Sequence, residues 1–462
     1  MVPLLLFFTS ACIAQTPSPS PEAFVLPPFQ PLRYEEDYEY LKDESKRRER
    51  LDSLKYIPVG KPGWYLSIGG EARITYETYR NASFGSGPQD GNGYLLQRYL
   101  LHTDWHFGNK YRVFAQLQVG LIANRNGGAC PTDKDVLDIH QAFGDYQVFS
   151  NEKNSLIIRV GRQEFDFGAG RLISTSDSLN IRRTFDGIRT IYKRGDWTMN
   201  SHFAKLVDIR PGVFDDRAVH NQTFWGGAAI RVRKKAQGGL AIYYLGIDYK
   251  EARFDQGRAR EIRHTFGGRI WGVVKQFDYN YEAIGQTGSF GSGDIRAFAV
   301  STDTGFNLSK LTFRPRLGLQ ASVASGDRNP RDADLQSFNP LYNRGTAYSG
   351  AIALVGPTNL ADLTPSLRLV LSKKAKVLLY TSFYRRQSLN DGLYIGSNLQ
   401  RVGSLSKERF VGGTSSAQLD FQIDRHLAYR AVCSYFFAGR FLKETPPGKD
   451  VSYFSTRVTF TF

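Results

Sequence analysis

His102, Asp104 and His106 recur at every second position, which sets three ligand-type side chains on one face of a strand. Such a trio can face Zn²⁺, but no further ligand is placed by spacing, and a polar wall is the plain alternative. Ser and Thr are abundant, yet no spacing singles one out as a nucleophile beside any of the 7 His. The expectation is no catalytic residue, no metal and no cofactor.

Arginine is the residue that recurs with chemical purpose. Taking the less apolar face of each alternating run as inward gives Arg73, Arg98, Arg112, Arg159, Arg189, Arg263, Arg269, Arg314, Arg316, Arg368, Arg430 and Arg457. The inward acids are Glu71, Glu77, Asp104, Asp278, Glu282 and Asp420. A guanidinium is always charged, and its planar fork matches carboxylate, sulfate or phosphate. Twelve bases against six acids predict net attraction for anionic solutes, while pairing across strands would use some of them to stiffen the wall.

The elements that position these residues alternate with period two. Trp64, Leu66, Ile68, Ala72, Ile74 and Tyr76 share one face against Ser67, Glu71, Arg73, Thr75 and Glu77. Tyr111 to Leu121, Phe313 to Val323, Leu363 to Leu371 and Phe454 to Phe462 repeat the arrangement. Connections alternate too. Turns fall at 108–109, near Asn151, and at 194–196, 234–236, 274–275, 309–310, 372–374 and 424–426. Long connections cover 81–93, the surroundings of Cys130, 164–184, 207–222, 249–261, 325–361, 387–408 and 439–450, with a shorter one at 288–293. Short on one side and long on the other predicts an all-β transmembrane antiparallel barrel of about 18 strands, with short periplasmic turns and long extracellular loops. Aromatic pairs near strand ends, such as Tyr76 and Tyr79, Trp105 and Phe107, or Phe436 and Phe437, suit a bilayer interface.

Composition agrees. The 462 residues carry 45 Gly, 13% aromatics and a net charge of +16. The longest uncharged apolar stretch, Leu4 to Ala14, is far shorter than the roughly 20 residues of a spanning helix. Residues 1–14 read as a signal peptide without a basic residue before its apolar core; Thr9-Ser10-Ala11-Cys12 also resembles a lipoprotein cleavage site. Cys12, Cys130 and Cys433 make no disulfide framework. Residues 15–63 form a periplasmic spacer, with one short polar helix expected over 34–55 and no face to bury; residues 64–462 form the barrel.

Tyr65 to Glu77 (YLSIGGEARITYE), Gly161 to Ile173 (GRQEFDFGAGRLI), Arg182 to Arg189 (RRTFDGIR) and Phe437 to Phe441 (FAGRF) resemble the alginate export family of outer-membrane proteins. The likeness runs from about Leu32 to the end. It implies a monomeric eighteen-stranded barrel carrying polyanionic sugar through an arginine-rich lumen. It also implies a long periplasmic connection late in the chain, where this sequence has the short Asp424-Arg425-His426.

The 164–184 connection is long enough to fold inward and narrow the pore. Arg171, Arg182 and Arg183 would then contact solute, held by Asp166 and Asp186, with a solvated external loop as the plain alternative. The leading reading is a bacterial outer-membrane channel for alginate-like polyuronates or smaller organic anions. The other is a surface receptor or adhesin whose loops bind without transport. Expected partners are outer-membrane lipid and lipopolysaccharide, the barrel-assembly machinery and an anionic saccharide; nucleic acid is not expected.

Overall fold

A computed structural model describes residues 25–233, 237–346 and 350–462. The expected signal peptide, Cys12 and the expected turn at 234–236 lie outside these residues.

The alternating runs become eighteen barrel strands. They are β1 Trp64–Arg80, β2 Tyr94–Phe107, β3 Tyr111–Ala123, β4 Asp135–Ser150, β5 Asn154–Gln163 and β6 Phe185–Arg194. Next come β7 Trp197–Asp208, β8 Gln222–Arg233, β9 Gly238–Phe254, β10 Gly257–Val274, β11 Phe277–Phe290 and β12 Gly293–Asn307. The ring finishes with β13 Arg316–Ala324, β14 Leu360–Val370, β15 Ala375–Arg386, β16 Phe410–Gln422, β17 Leu427–Ala438 and β18 Val451–Thr461. Each pairs antiparallel with its neighbour, and β18 returns to β1 with Glu71 opposite Thr461. Closure leaves no strand edge to be satisfied by lipid. Among the described residues no helix is long and apolar enough to cross a membrane.

Facing follows the pleat. Ile74, Leu101, Val113, Phe203, Ile242, Phe266, Leu317 and Val458 stand exposed on the outer surface, whereas Arg73, Arg98, Phe114, Arg263 and Ser455 on the alternate positions are buried inside. A band so apolar matches hydrocarbon rather than water. Residues an odd number apart on a strand cannot both face lipid, so two of the aromatic pairs divide, while Trp105 and Phe107 share one face. Phe436 lies in the interior beside Phe84 and Tyr384, and Tyr79 packs inward on Tyr453, 4.5 Å between ring centres.

Two expected boundaries are corrected. Residues 249–261 are not a long loop: β9 and β10 continue through them and turn at Asp255 and Gln256. Phe313 and Arg314 do not begin a strand. Both have left-handed backbone (φ 62° and 42°) in the 308–315 turn, which breaks the pleat and leaves Arg314 exposed at the short-turn end.

The N-terminal segment is also corrected. In place of a polar helix it forms 3₁₀ turns at Arg33–Glu35, Glu39–Lys42, Glu44–Lys46 and Asp52–Leu54. In place of a solvated tether it buries Leu32, Arg33, Tyr34, Glu36, Tyr38, Leu41, Asp52, Lys55 and Tyr56. A polar chain can be buried here because the barrel interior supplies hydrogen-bond partners that an apolar core would lack.

Candidate functional site

The lumen is built from the inward positions of the strands and from three segments folded between them. The first is the 164–184 connection. Asp177 accepts from Arg73 at 3.1 Å and from Arg98 at 2.7 Å, with Arg182 at 3.5 Å. Burial works against its charge, but Arg73, Arg98 and Arg182 overcome that and hold its carboxyl well below the usual range. Arg171 reaches the other side and meets Glu282 of β11 at 3.1 Å. The loop therefore crosses the interior between walls about half the circumference apart.

The second segment, within 325–346, is zipped to the first. Ser174 N–H donates to Tyr342 O at 3.0 Å, Tyr342 N–H to Leu172 O at 2.8 Å, and Arg344 N–H to Gly170 O at 2.8 Å. Arg344 also meets Asp166 at 3.3 Å. Arg183 donates to the carbonyls of Ser174, Tyr342 and Asn343, and burial pushes its guanidinium down to about 10.

The third segment is N-terminal. Tyr34 stands edge-on to Phe114 and Phe143, with the Arg159 guanidinium 4.2 Å from its ring centre. Its hydroxyl donates to Glu164 O at 2.8 Å, its carbonyl accepts from Arg112 at 2.5 Å, and Pro31 O accepts from Arg182 at 2.9 Å. Arg33 bridges the barrel seam, donating to Gly70 O at 3.0 Å and Phe462 O at 2.7 Å. Lys55 donates to Ile68 O at 2.8 Å, where burial and then Arg33 push its ammonium down to about 7. Gly69 leaves this room: a Cβ there would lie 2.5 Å from Lys55 Nζ and 2.6 Å from the His102 ring.

The loop runs inward, and the charge partners of its arginines differ from those expected. Asp186 alternates with the inward Phe185 and Gly187, so it faces outward and pairs with Arg162 at 2.8 Å. Asp166 holds Arg344 rather than a loop arginine, and Arg182 is held by Glu164 at 2.8 Å, which also meets His140 at 2.8 Å. The anchor Asp177 has no sequence signal beyond its place in a charged loop.

The predicted wall arginines are inward apart from Arg314, and many are paired. Arg73 and Arg98 share Glu71; Arg112 takes Asp104, Arg159 takes Asp145, Arg263 takes Glu261, Arg316 takes Asp278 and Asp303, and Arg430 takes Asp420. The inward acids outnumber the six expected, because Asp145, Glu261, Asp303 and Asp362 join them. Arg189, Arg269 and Arg457 donate instead to neutral groups: Asn200 at 3.0 Å, Asn280 at 2.8 Å, and Thr75 at 3.2 Å with Ser178 O at 3.1 Å. Arg368 stands opposite Arg316 across the ladder. With Arg269, Trp271, Asp278, Asp303 and Arg316 it lines a cavity of about 320 Å³ near the short-turn mouth, on the wall opposite the N-terminal segment.

The His102, Asp104 and His106 trio does not assemble as ligands. His102 stacks on Phe114 at 5.2 Å, while Asp104 is taken by Arg112 at 2.7 Å and His106 at 3.1 Å.

The sequence from residue 64 to 454 matches the family model described as alginate export. The chain belongs to the alginate export family. No curated protein sequence matches it. Its barrel is similar to Pseudomonas aeruginosa OccK8 (OprE), at 11% identity over 86% of this chain and 98% of that one, with a TM-score of 0.57. OpdK of the same organism, solved with vanillate, is similar at 10% identity, 86% and 98% coverage and a TM-score of 0.57. OccK2 (OpdF), in complex with glucuronate, is similar at 11% identity, 86% and 98% coverage and a TM-score of 0.54. At such identities these likenesses show the fold. Family and barrel together place this alginate export family member in the bacterial outer membrane, as a transport channel rather than an enzyme. In this member the late turn at 424–426 is short, and its Arg425 holds the N-terminal segment through Glu49 and through Pro27 O at 2.7 Å.

Proposed function

We propose that this protein is a passive, anion-selective channel for acidic saccharides, of the size of single uronates or short polyuronate chains. The observation that carries the reading is the set Arg189, Arg269, Arg368 and Arg457. They are inward guanidiniums that form no salt bridge among the described residues. Three hydrogen-bond neutral groups and Arg368 stands beside another arginine's ion pair, while Glu282 opposite Arg269 and Asp177 near Arg457 are held by other arginines. Pairing turns part of an arginine's charge to stiffening the wall; these four keep more of theirs to offer a passing carboxylate. Trp271 lies in the mouth cavity with Arg269 stacked 4.4 Å from its ring centre, which adds an aromatic surface beside the cations. The glucuronate bound by OccK2 and the vanillate bound by OpdK are both monocarboxylates, a chemistry that these arginines suit. The receptor reading is weaker because the 164–184 and 325–346 loops turn into the barrel and bind each other.

Liposome swelling tests it. Vesicles holding the protein should admit sodium galacturonate faster than an uncharged hexose of similar size. A hexose rate equal to or above the galacturonate rate refutes the proposal.

A further inference from the structure

The N-terminal segment occupies the lumen in a particular chemical manner. Arg112 of β3 and Arg182 of the 164–184 loop donate to its carbonyl oxygens at Tyr34 and Pro31. Tyr34 fills a slot walled by Phe114 and Phe143 and covered by Arg159, whose own fork is engaged by Asp145 at 2.7 Å and 2.8 Å. Oxygen acceptors on arginines beside one six-membered ring against aromatic faces are the pattern that a bound uronate unit would make.

From this geometry we propose that residues 30–36 are a displaceable pseudo-ligand. They narrow the channel by occupying a subsite for a carboxylated pyranose, formed by Arg112, Arg159, Arg182, Phe114 and Phe143. The proposal rests on the channel reading and adds the site and its control. A carboxylate adds ion-pair attraction and a two-oxygen fit to the guanidinium fork that a single neutral carbonyl lacks, so an acidic sugar outcompetes the segment at Arg112 and Arg182. A chain with several carboxylates gains further, since each later contact is intramolecular. What the segment has in return is tethering. Residues 37–63 join it to β1, and Glu49 and Lys55 in that stretch are pinned to Arg425 and Ile68 O, so it reseats once the sugar leaves.

The test uses the full chain carrying Leu32→Cys, with Cys12→Ser, Cys130→Ser and Cys433→Ser removing the native thiols. Leu32 is 7% exposed and packs beside Tyr34, so a water-soluble maleimide should label it slowly. Adding trigalacturonate should raise the labelling rate by about tenfold or more, while maltotriose leaves it unchanged. An unchanged or slower rate with trigalacturonate overturns the proposal. Tyr34→Ala gives a second, independent measure in planar bilayers: conductance should rise above that of the unmodified chain with anion preference retained. Equal conductance with anion preference intact overturns the plug and leaves the channel reading standing. Cation preference, or no current in either protein, overturns the channel reading and the plug with it.

Discussion

Asp177 Oδ1 lies 2.7 Å from Nη2 of Arg98, a guanidinium with no solvent exposure. This contact ties the inward loop to the first two strands. Asp177→Asn should therefore free the loop without removing an element of the barrel wall. The expected result is higher single-channel conductance with more flicker, because the narrowest cross-section limits ion flow. Unchanged conductance in a correctly inserted variant would move the constriction to the wall.

Paired and unpaired arginines should separate in their effects. Arg269→Gln removes a cation without orphaning a carboxylate within its pair, so anion preference should fall while heat resistance in detergent stays near that of the parent. Arg263→Gln strands Glu261, which is fully buried with it, at a cost of about 3–5 kcal/mol. Heat resistance should fall there. Selectivity and thermal melts on both variants check the contrast.

Strand facing can be read by thiol chemistry. Arg316 lines the mouth cavity and Leu317 is 51% exposed on the outer surface. In the protein embedded in lipid, Arg316→Cys should react with a charged maleimide and Leu317→Cys should not. Equal labelling would mean the register of β13 is wrong.

Asp327 lies in the outer loops, where burial and then Asp391 push its carboxyl up to about 6, with Asp332 adding to the effect. A carboxyl raised in the folded state contributes stability that is full below its ordinary 3.8 and is lost as pH rises through 6. Asp327→Asn should thus raise the melting temperature at pH 8 and change it little at pH 4. A fall at pH 8 would contradict the burial of a reluctant charge.

Much of the barrel was legible because lipid demands a strict pleat. Leu317 and Leu319 against Arg316 and Gln320 leave one register only. The legibility fails where the demand lapses. Charges on both faces of 249–261 read as a loop, yet such a strand pair is stable once it projects beyond hydrocarbon, and the inward Glu261 went unrecognised with it. A bulge between Gln116 and Leu117 against β4 resets the alternation, so Asp145 was not read as an inward acid. The N-terminal segment shows no apolar stripe because its partners are the arginines and carbonyls of the lumen, which no local pattern announces.

The central claim is that lumen arginines outside the salt bridges make the open pore prefer anions. Reversal potential across a planar bilayer holding the full chain in a potassium chloride gradient tests it most directly. The predicted value lies toward the chloride equilibrium potential and moves toward zero when Arg189, Arg269, Arg368 and Arg457 are changed together to Gln. A value toward the potassium potential, or one that the four substitutions leave unmoved, would contradict it.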